Sequence, residues 1–435
     1  MKLFGTMKIQ ENELTIGGIK VTELAKKYGT PLYIMDEELI RSTCREYSKY
    51  FIFCENKDLV NNRVIYAGKA FLNIEMVKII EEEGLYLDVV SGGELMTAYK
   101  GNFDMSRVYF HGNNKSKEEI ELGIAVGVGT FVVDNFYELR MLNEISKKYN
   151  KIQKVLLRVI PEVNTNTHKS IKTGERNSKF GFPLEREGII RAVEETIIYE
   201  NIELAGLHSH IGSQIFGLKS YYESISIMLR LIDEIERTKK IKIKELDIGG
   251  GFGIYYVDGD KPEKIKDICI SIIEWVKKEC SRFKLDIPML SIEPGRSIVG
   301  NAGITLYEIG SIKKADNNLK IIAIDGGMYE NIRPALYDSK YEYSIGNKIN
   351  IIKTEKVQIV GKCCESGDVL VKRGYLQLCK EEDILVLMST GAYGYSMASN
   401  YNRMLKPAVI SVKNGESKIM VRRQTYDDIV KNDIF

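Results

Sequence analysis

Residues 64–90 read VIYAGKAFLNIEMVKIIEEEGLYLDVV. The apolar run Val64–Ala67 is followed by a helical pattern over 74–83, with Ile74, Val77 and Ile80 on one face, and then by a second apolar run, Leu87–Val90. Runs this short and this apolar read as buried parallel strands, and a segment with 3.6-residue periodicity between them reads as a crossover helix. Outward from this unit the alternation repeats. Further apolar runs are Val108–Phe110, Thr130–Val133, Val155–Val159, Leu204–Leu207, Glu245–Ile248 and Met289–Ile292. Helical patterns cover 93–100, 117–126, 136–148, 184–198, 221–238 and 263–283.

Eight strands alternating with helices over about 230 residues imply a (β/α)8 barrel. A doubly wound open sheet fits the alternation, but not the count of eight. The reading gives an α/β chain: a barrel over residues 36–299, then a mostly antiparallel β domain over 300–435, joined by residues 1–35. In that second region 304–312, 321–324, 348–360, 384–388, 408–413 and 417–422 read as strands without long helices between them.

Composition narrows the function. The chain has 435 residues, 44% hydrophobic and 28% charged, with 62 Lys plus Arg against 60 Asp plus Glu. A net charge of +2 with no basic block argues against nucleic acid and against an anionic membrane surface. No apolar run approaches the ~20 residues of a membrane helix, and residues 1–18 lack the apolar core of a signal peptide. The seven cysteines are odd in number and form no C-x-x-C pair. A disulfide framework or zinc site is not expected, and a reducing cytoplasm is.

Barrel chemistry sits at the C-terminal ends of strands, and polar or glycine-rich residues follow strand after strand here. Lys69 is either an amine nucleophile at the barrel mouth or a lysine snorkelling to solvent. Asp247-Ile-Gly-Gly-Gly-Phe-Gly253 follows the seventh strand, where backbone N–H groups can cradle a phosphate; the alternative is a tight turn. Arg296 adds a charge-assisted contact. Glu293 ends an apolar strand and pairs with a cationic ring nitrogen or with Arg296. His208 and His210 point the same way on a strand, but no third ligand cluster favours metal. His111 and His168 read as structural. Arg333 and Tyr337 lie one helical turn apart if that stretch is helical. Residues 363–368, CCESGD, combine a possible acid thiol with two carboxylates, and residues 391–397, GAYGYSM, form a Gly/Tyr loop.

Together these segments resemble diaminopimelate decarboxylase, a pyridoxal-phosphate enzyme of the alanine-racemase-like fold type. The matching pieces are YAGKAF, DVVSGGEL, HxxIxTG at 168–174, SKFGF at 178–182, HSHIGSQ, DIGGGFG, EPGR, NIRPALY, CESGD and GAYGYSMASNYN, in the family's order from residue 66 to 402. The resemblance implies a barrel plus a β domain. It implies that Lys69 forms an aldimine with pyridoxal 5'-phosphate and that His210 stacks on its ring. Ser213, Gly249, Gly250, Gly251, Gly295 and Arg296 hold the phosphate end, and Glu293 pairs with the ring nitrogen. Arg296, Arg333, Tyr337, Glu365 and Tyr393 bind substrate, with Tyr393 also on the cofactor. Cys364 is the proton donor, although Cys363 beside it blurs which thiol acts. A homodimer is implied, with Cys364 and Glu365 reaching into the partner's site. The reaction implied is conversion of meso-2,6-diaminopimelate to L-lysine and CO2, the last step of lysine biosynthesis. Three other readings remain: a sister decarboxylase of D-lysine, D-ornithine, arginine or carboxynorspermidine; a racemase, which Glu293 disfavours; and a non-catalytic cofactor-binding protein.

Overall fold

The computed structural model describes residues 1–53, 62–163, 178–315 and 318–434. They fall into two compact units. One comprises Thr43–Gly253 and Lys261–Gly295; the other comprises Met1–Ser42, Ile254–Asp260 and Arg296–Phe435. Residues 36–42, 254–260 and 296–299 therefore cluster with the β-rich unit, although they lie within the stretch that the sequence reading gives to the barrel.

The first unit is a closed eight-stranded parallel barrel. Its strands are β1 (Arg63–Ala67), β2 (Tyr86–Val89), β3 (Val108–Phe110), β4 (Thr130–Val133), β5 (Gln153–Val159), β6 (Ile202–Ser209), β7 (Glu245–Gly250) and β8 (Met289–Glu293). Each pairs with its chain neighbours, and β8 closes on β1 through Ser291 opposite Arg63. Between them run α1 (Ile74–Glu82), α2 (Gly92–Lys100), α3 (Lys117–Val126), α4 (Phe136–Lys148), α5 (Arg191–Ile198), α6 (Lys219–Lys239) and α7 (Ile265–Phe283). The first four start on side-chain caps, Asn73, Ser91, Ser116 and Asn135, each accepting from the N–H three residues on. Such a cap is worth about 1 kcal/mol and fixes where each loop hands over to a helix.

The barrel interior is filled rather than hollow. Ile65, Val132, Leu156 and Ala205 form an apolar layer with Tyr109. Truncating Leu156 to Ala would cost about 2–5 kcal/mol. Toward the strand N-termini, buried Glu245 accepts from Tyr109 at 2.6 Å and from Ser291 at 2.7 Å, and lies 3.4 Å from Arg63. These partners satisfy a carboxylate that would be costly alone. The opposite, C-terminal end is thereby left to carry chemistry.

The second unit holds a nine-stranded sheet and a small three-stranded antiparallel one over residues 8–20. Gly303–Lys314 is its longest strand. It pairs antiparallel with Leu32–Asp36, Lys320–Ile324 and Ile384–Leu387. Most other pairs are antiparallel too, as the sequence implies, but Leu32–Asp36 runs parallel to Ala408–Lys413 and Lys320–Ile324 parallel to Glu355–Val360. The expected strand over 348–360 is shorter, Glu355–Val360, because residues up to 354 find no partner strand and Ile352 is exposed. Val369–Leu376 is a further strand, hidden in the sequence because Lys372 and Arg373 interrupt its alternation. Its core packs Leu14, Ile16, Ile34, Leu306 and Ile410. Among the described residues no helix is long and apolar enough to cross a membrane.

Candidate active site

At the C-terminal end of the barrel, Lys69 sits in a single turn, Gly68–Ala70, directly after β1. It is half-buried, and its Nζ donates to Oδ2 of Asp88 on β2 at 3.2 Å. Asp88 is fully buried, and its Oδ1 lies 3.8 Å from Nε2 of His111, just past β3. The same Nε2 is 3.0 Å from Oε1 of Glu293 at the end of β8. His208 on β6 approaches that oxygen from another side at 3.4 Å. Five strands thus deliver two carboxylates, two imidazoles and an amine to one buried locus.

The charges there are distributed by environment. Burial alone would raise Glu293, but the facing imidazoles of His111 and His208 outweigh it and hold the carboxyl well below its ordinary range. Burial pushes His208 itself down to about 4. Asp247, buried on β7, is pushed well above the usual carboxylate range by burial and by the Glu293 charge. Of these two carboxyls, Glu293 is therefore the first to lose its proton. Glu94, on α2, is raised to about 7 by burial and by Asp88.

The glycine run lies beside these groups. Oδ1 of Asp247 accepts the Gly249 N–H at 2.8 Å, and Nδ1 of half-buried His210 accepts the Gly250 N–H at 3.2 Å. Gly251 has φ +94°, and a Cβ there would stand 2.1 Å from the Gly212 carbonyl oxygen. A Cβ on Gly250 would stand 2.0 Å from the Glu293 carbonyl oxygen. Backbone packing this close admits no side chain. The loop holding Ser213 is laced to the run by Ile215 N–H to Gly251 O and Gly253 N–H to Ile215 O. Gly295 lies against β1, where a Cβ would stand 2.9 Å from the Ala67 Cβ, and Ala67 N–H donates to Pro294 O at 3.2 Å. The 178–182 segment docks on β5, its Gly181 N–H donating to Asp134, whereas 168–174 lies outside the described residues.

The β-rich unit holds the remaining sequence-derived residues. Arg333 and Tyr337 do share a short helix, Arg333–Tyr337. Arg296 and Arg333 are both buried and both donate to Tyr256, at 2.6 and 3.1 Å. The guanidinium of Arg296 lies 4.6 Å from the ring centre of Tyr393, a residue at φ +56°. Cys363 is buried and Cys364 exposed. Their loop is cinched by Asp368, which accepts the N–H groups of Cys363 and Met328. Glu365 is exposed and makes no ion pair among the described residues.

Residues 38–300 match the family of pyridoxal-dependent decarboxylases over its pyridoxal-binding domain. The chain is 46% identical to a diaminopimelate decarboxylase of Bacillus subtilis, over all of this chain and 98% of that protein. It is 42% identical to one of Staphylococcus aureus over 98% of this chain and 99% of that one. The chain belongs to the diaminopimelate decarboxylase family. A crystal structure of the M. jannaschii member in complex with L-lysine superposes with a TM-score of 0.92 at 34% identity, covering 99% of this chain and 98% of that one.

The family's cofactor, pyridoxal phosphate, fits the barrel residues. A phosphate needs convergent backbone N–H groups without side chains in the way, which residues 249–251 supply. A protonated pyridine nitrogen needs a buried ionised carboxylate, and Oε1 of Glu293 carries no aligned hydrogen bond among the described residues. Sequence reasoning missed Asp88 and took His111 for a structural residue; the structure places both on the line from Lys69 to Glu293. The signal for Asp88 was present, a lone carboxylate in the apolar run Leu87–Val90. Tyr256 carried no such signal.

Proposed function

We infer that this protein removes one carboxyl group of meso-2,6-diaminopimelate as CO2 and leaves L-lysine. Full-length membership of the family carries this reading, and the barrel-mouth cluster supports it. Bound pyridoxal phosphate supplies an electron sink for the pair left at Cα when CO2 departs. Lys69 is the amine that holds the cofactor, with Asp88 beside its Nζ. Glu293 keeps a proton on the ring nitrogen; a cationic partner there would weaken the sink and suit racemisation. His210 packs against the ring, and Ser213, Gly249, Gly250, Gly251, Gly295 and Arg296 hold the phosphate. Arg333, Tyr337 and Tyr393 bind substrate. Cys364 returns a proton to Cα.

Cys364 and Glu365 serve the site of a second copy, so the working unit is a homodimer. Their exposure supports this. Cys280, Cys363, Cys364 and Cys379 are free thiols, in keeping with a reducing cytoplasm.

The test is CO2 release and lysine formation by the purified protein with pyridoxal phosphate and meso-diaminopimelate, with D-lysine and D-ornithine alongside. Stoichiometric lysine is expected. Cadaverine or putrescine from the other two substrates, with no lysine, would reassign the protein to the sister decarboxylases. Lys69→Ala is expected to abolish turnover, and full turnover by that variant would reject its role.

A further inference from the structure

Tyr256 is the centre of a buried cluster in the β-rich unit. Its phenolic oxygen accepts from Nη1 of Arg296 at 2.6 Å and from Nη1 of Arg333 at 3.1 Å. The same Nη1 of Arg333 donates to the Tyr341 hydroxyl at 2.6 Å. The two tyrosine rings meet edge to face at 5.4 Å, and the Arg333 guanidinium lies 5.0 Å from the Tyr256 ring centre. All four side chains are buried. Two guanidiniums converging on one neutral oxygen repel each other, and burying them is costly without an anion. Arg333 makes no ion pair with a carboxylate among the described residues. The nearby Asp260 is engaged by the backbone N–H groups of Tyr256 and Val257. Burial alone would raise the Tyr256 phenol, but Arg296 and Arg333 outweigh it and lower it, the mark of a cluster short of negative charge.

Geometry says what the missing anion looks like. Arg333 uses one nitrogen, Nη1, for both phenols, which leaves its Nε–Nη2 edge to meet a carboxylate bidentately. A phenol that accepts two bonds still has its own proton to donate. We propose that Tyr256 is a positioning residue for the substrate carboxylate that is not lost. It yokes Arg296 and Arg333 at a fixed separation and presents the Arg333 edge, with its own O–H, to that carboxylate. This rests on the decarboxylation reading above, and it adds a selectivity device to it.

The test uses holoenzyme and two ligands of one skeleton. L-Lysine retains the carboxylate in question, and cadaverine lacks it. Tyr256→Phe keeps the ring and its packing but removes the shared oxygen. Calorimetry is expected to show L-lysine affinity falling about tenfold, about 1.4 kcal/mol, with cadaverine affinity within about twofold. The KM for meso-diaminopimelate is expected to rise by about the same factor while kcat stays within about threefold. Tyr256→His, which returns an acceptor nitrogen on a ring, is expected to recover part of the L-lysine preference. Tyr341→Phe removes one bond from the same Arg333 nitrogen and is expected to weaken L-lysine alone, by about two- to fivefold; it keeps the comparison decisive if Tyr256→Phe does not fold. Equal losses for both ligands, or no loss, would overturn the proposal. Wild-type protein that binds L-lysine over cadaverine but releases no CO2 from meso-diaminopimelate would overturn the reaction instead and leave the carboxylate receptor standing.

Discussion

Nε2 of His111 stands 3.0 Å from Oε1 of Glu293, deep at the barrel mouth where water is scarce. The imidazole holds the carboxylate ionised against the cost of its burial. Glu293→Gln keeps the shape and loses the charge. Its kcat is expected to fall roughly 10²–10³-fold, the scale for removing one preorganised electrostatic partner. Single-turnover CO2 release measures it; a loss under about threefold would remove Glu293 from the chemistry.

The glycine run predicts a contrast between two small substitutions. Gly250→Ala drives a methyl group into the Glu293 carbonyl, 2.0 Å away, and is expected to cost more than about 2 kcal/mol and to weaken cofactor retention. Gly93→Ala on α2 meets nothing nearer than 3.7 Å and is expected to be neutral or to gain up to about 1 kcal/mol from helix propensity. Denaturant melts of the two variants, with cofactor absorbance after gel filtration, decide the matter.

The adjacent thiols differ in reach. Burial and Asp368 push Cys363 up to about 12, whereas Cys364 is exposed. At pH 7.5 iodoacetamide is expected to label Cys364 at least about tenfold faster than Cys363, read by peptide mass spectrometry. Cys364→Ala is expected to cut kcat more than Cys363→Ala; the reverse order would move the proton donor to Cys363.

Glu330 offers a pH test in the β-rich unit. It is buried, accepts from the Tyr33 and Tyr307 hydroxyls at 2.8 Å each, and is raised to about 7, chiefly by burial. The unfolded chain releases this proton near 4.5, so between these values the folded state holds a proton that the unfolded state has lost. Stability from this group is full below about 4.5 and declines as pH rises to about 7, by at most about 3 kcal/mol. Glu330→Gln is expected to flatten that part of the melting-temperature profile. An unchanged slope would assign it to other groups.

Much of this was legible in the residues. The barrel was, because Val64–Ala67 and Thr130–Val133 are apolar runs too short for helices, with helical patterns between the runs. Lys69, Glu293 and the 249–251 run stood out because each lies at or just past a strand end. Leu32–Asp36 escaped because both its partner strands, Gly303–Lys314 and Ala408–Lys413, lie more than 260 positions further along the chain. Tyr256 escaped because nothing local distinguishes a tyrosine that two distant arginines will share. His111 escaped because its partner Glu293 is 182 positions away, a pairing that only barrel closure creates.

That same strand, Leu32–Asp36, sets a schedule for synthesis. It lies between Gly303–Lys314 and Ala408–Lys413, so both its neighbours leave the ribosome more than 260 residues after it does. At roughly 5–20 residues per second the wait is tens of seconds. The barrel has all eight strands once Glu293 has emerged and can close during that interval. The nascent chain must therefore carry an unpaired apolar segment ahead of a finished barrel, which makes residues 32–36 the stretch most in need of a chaperone until translation ends.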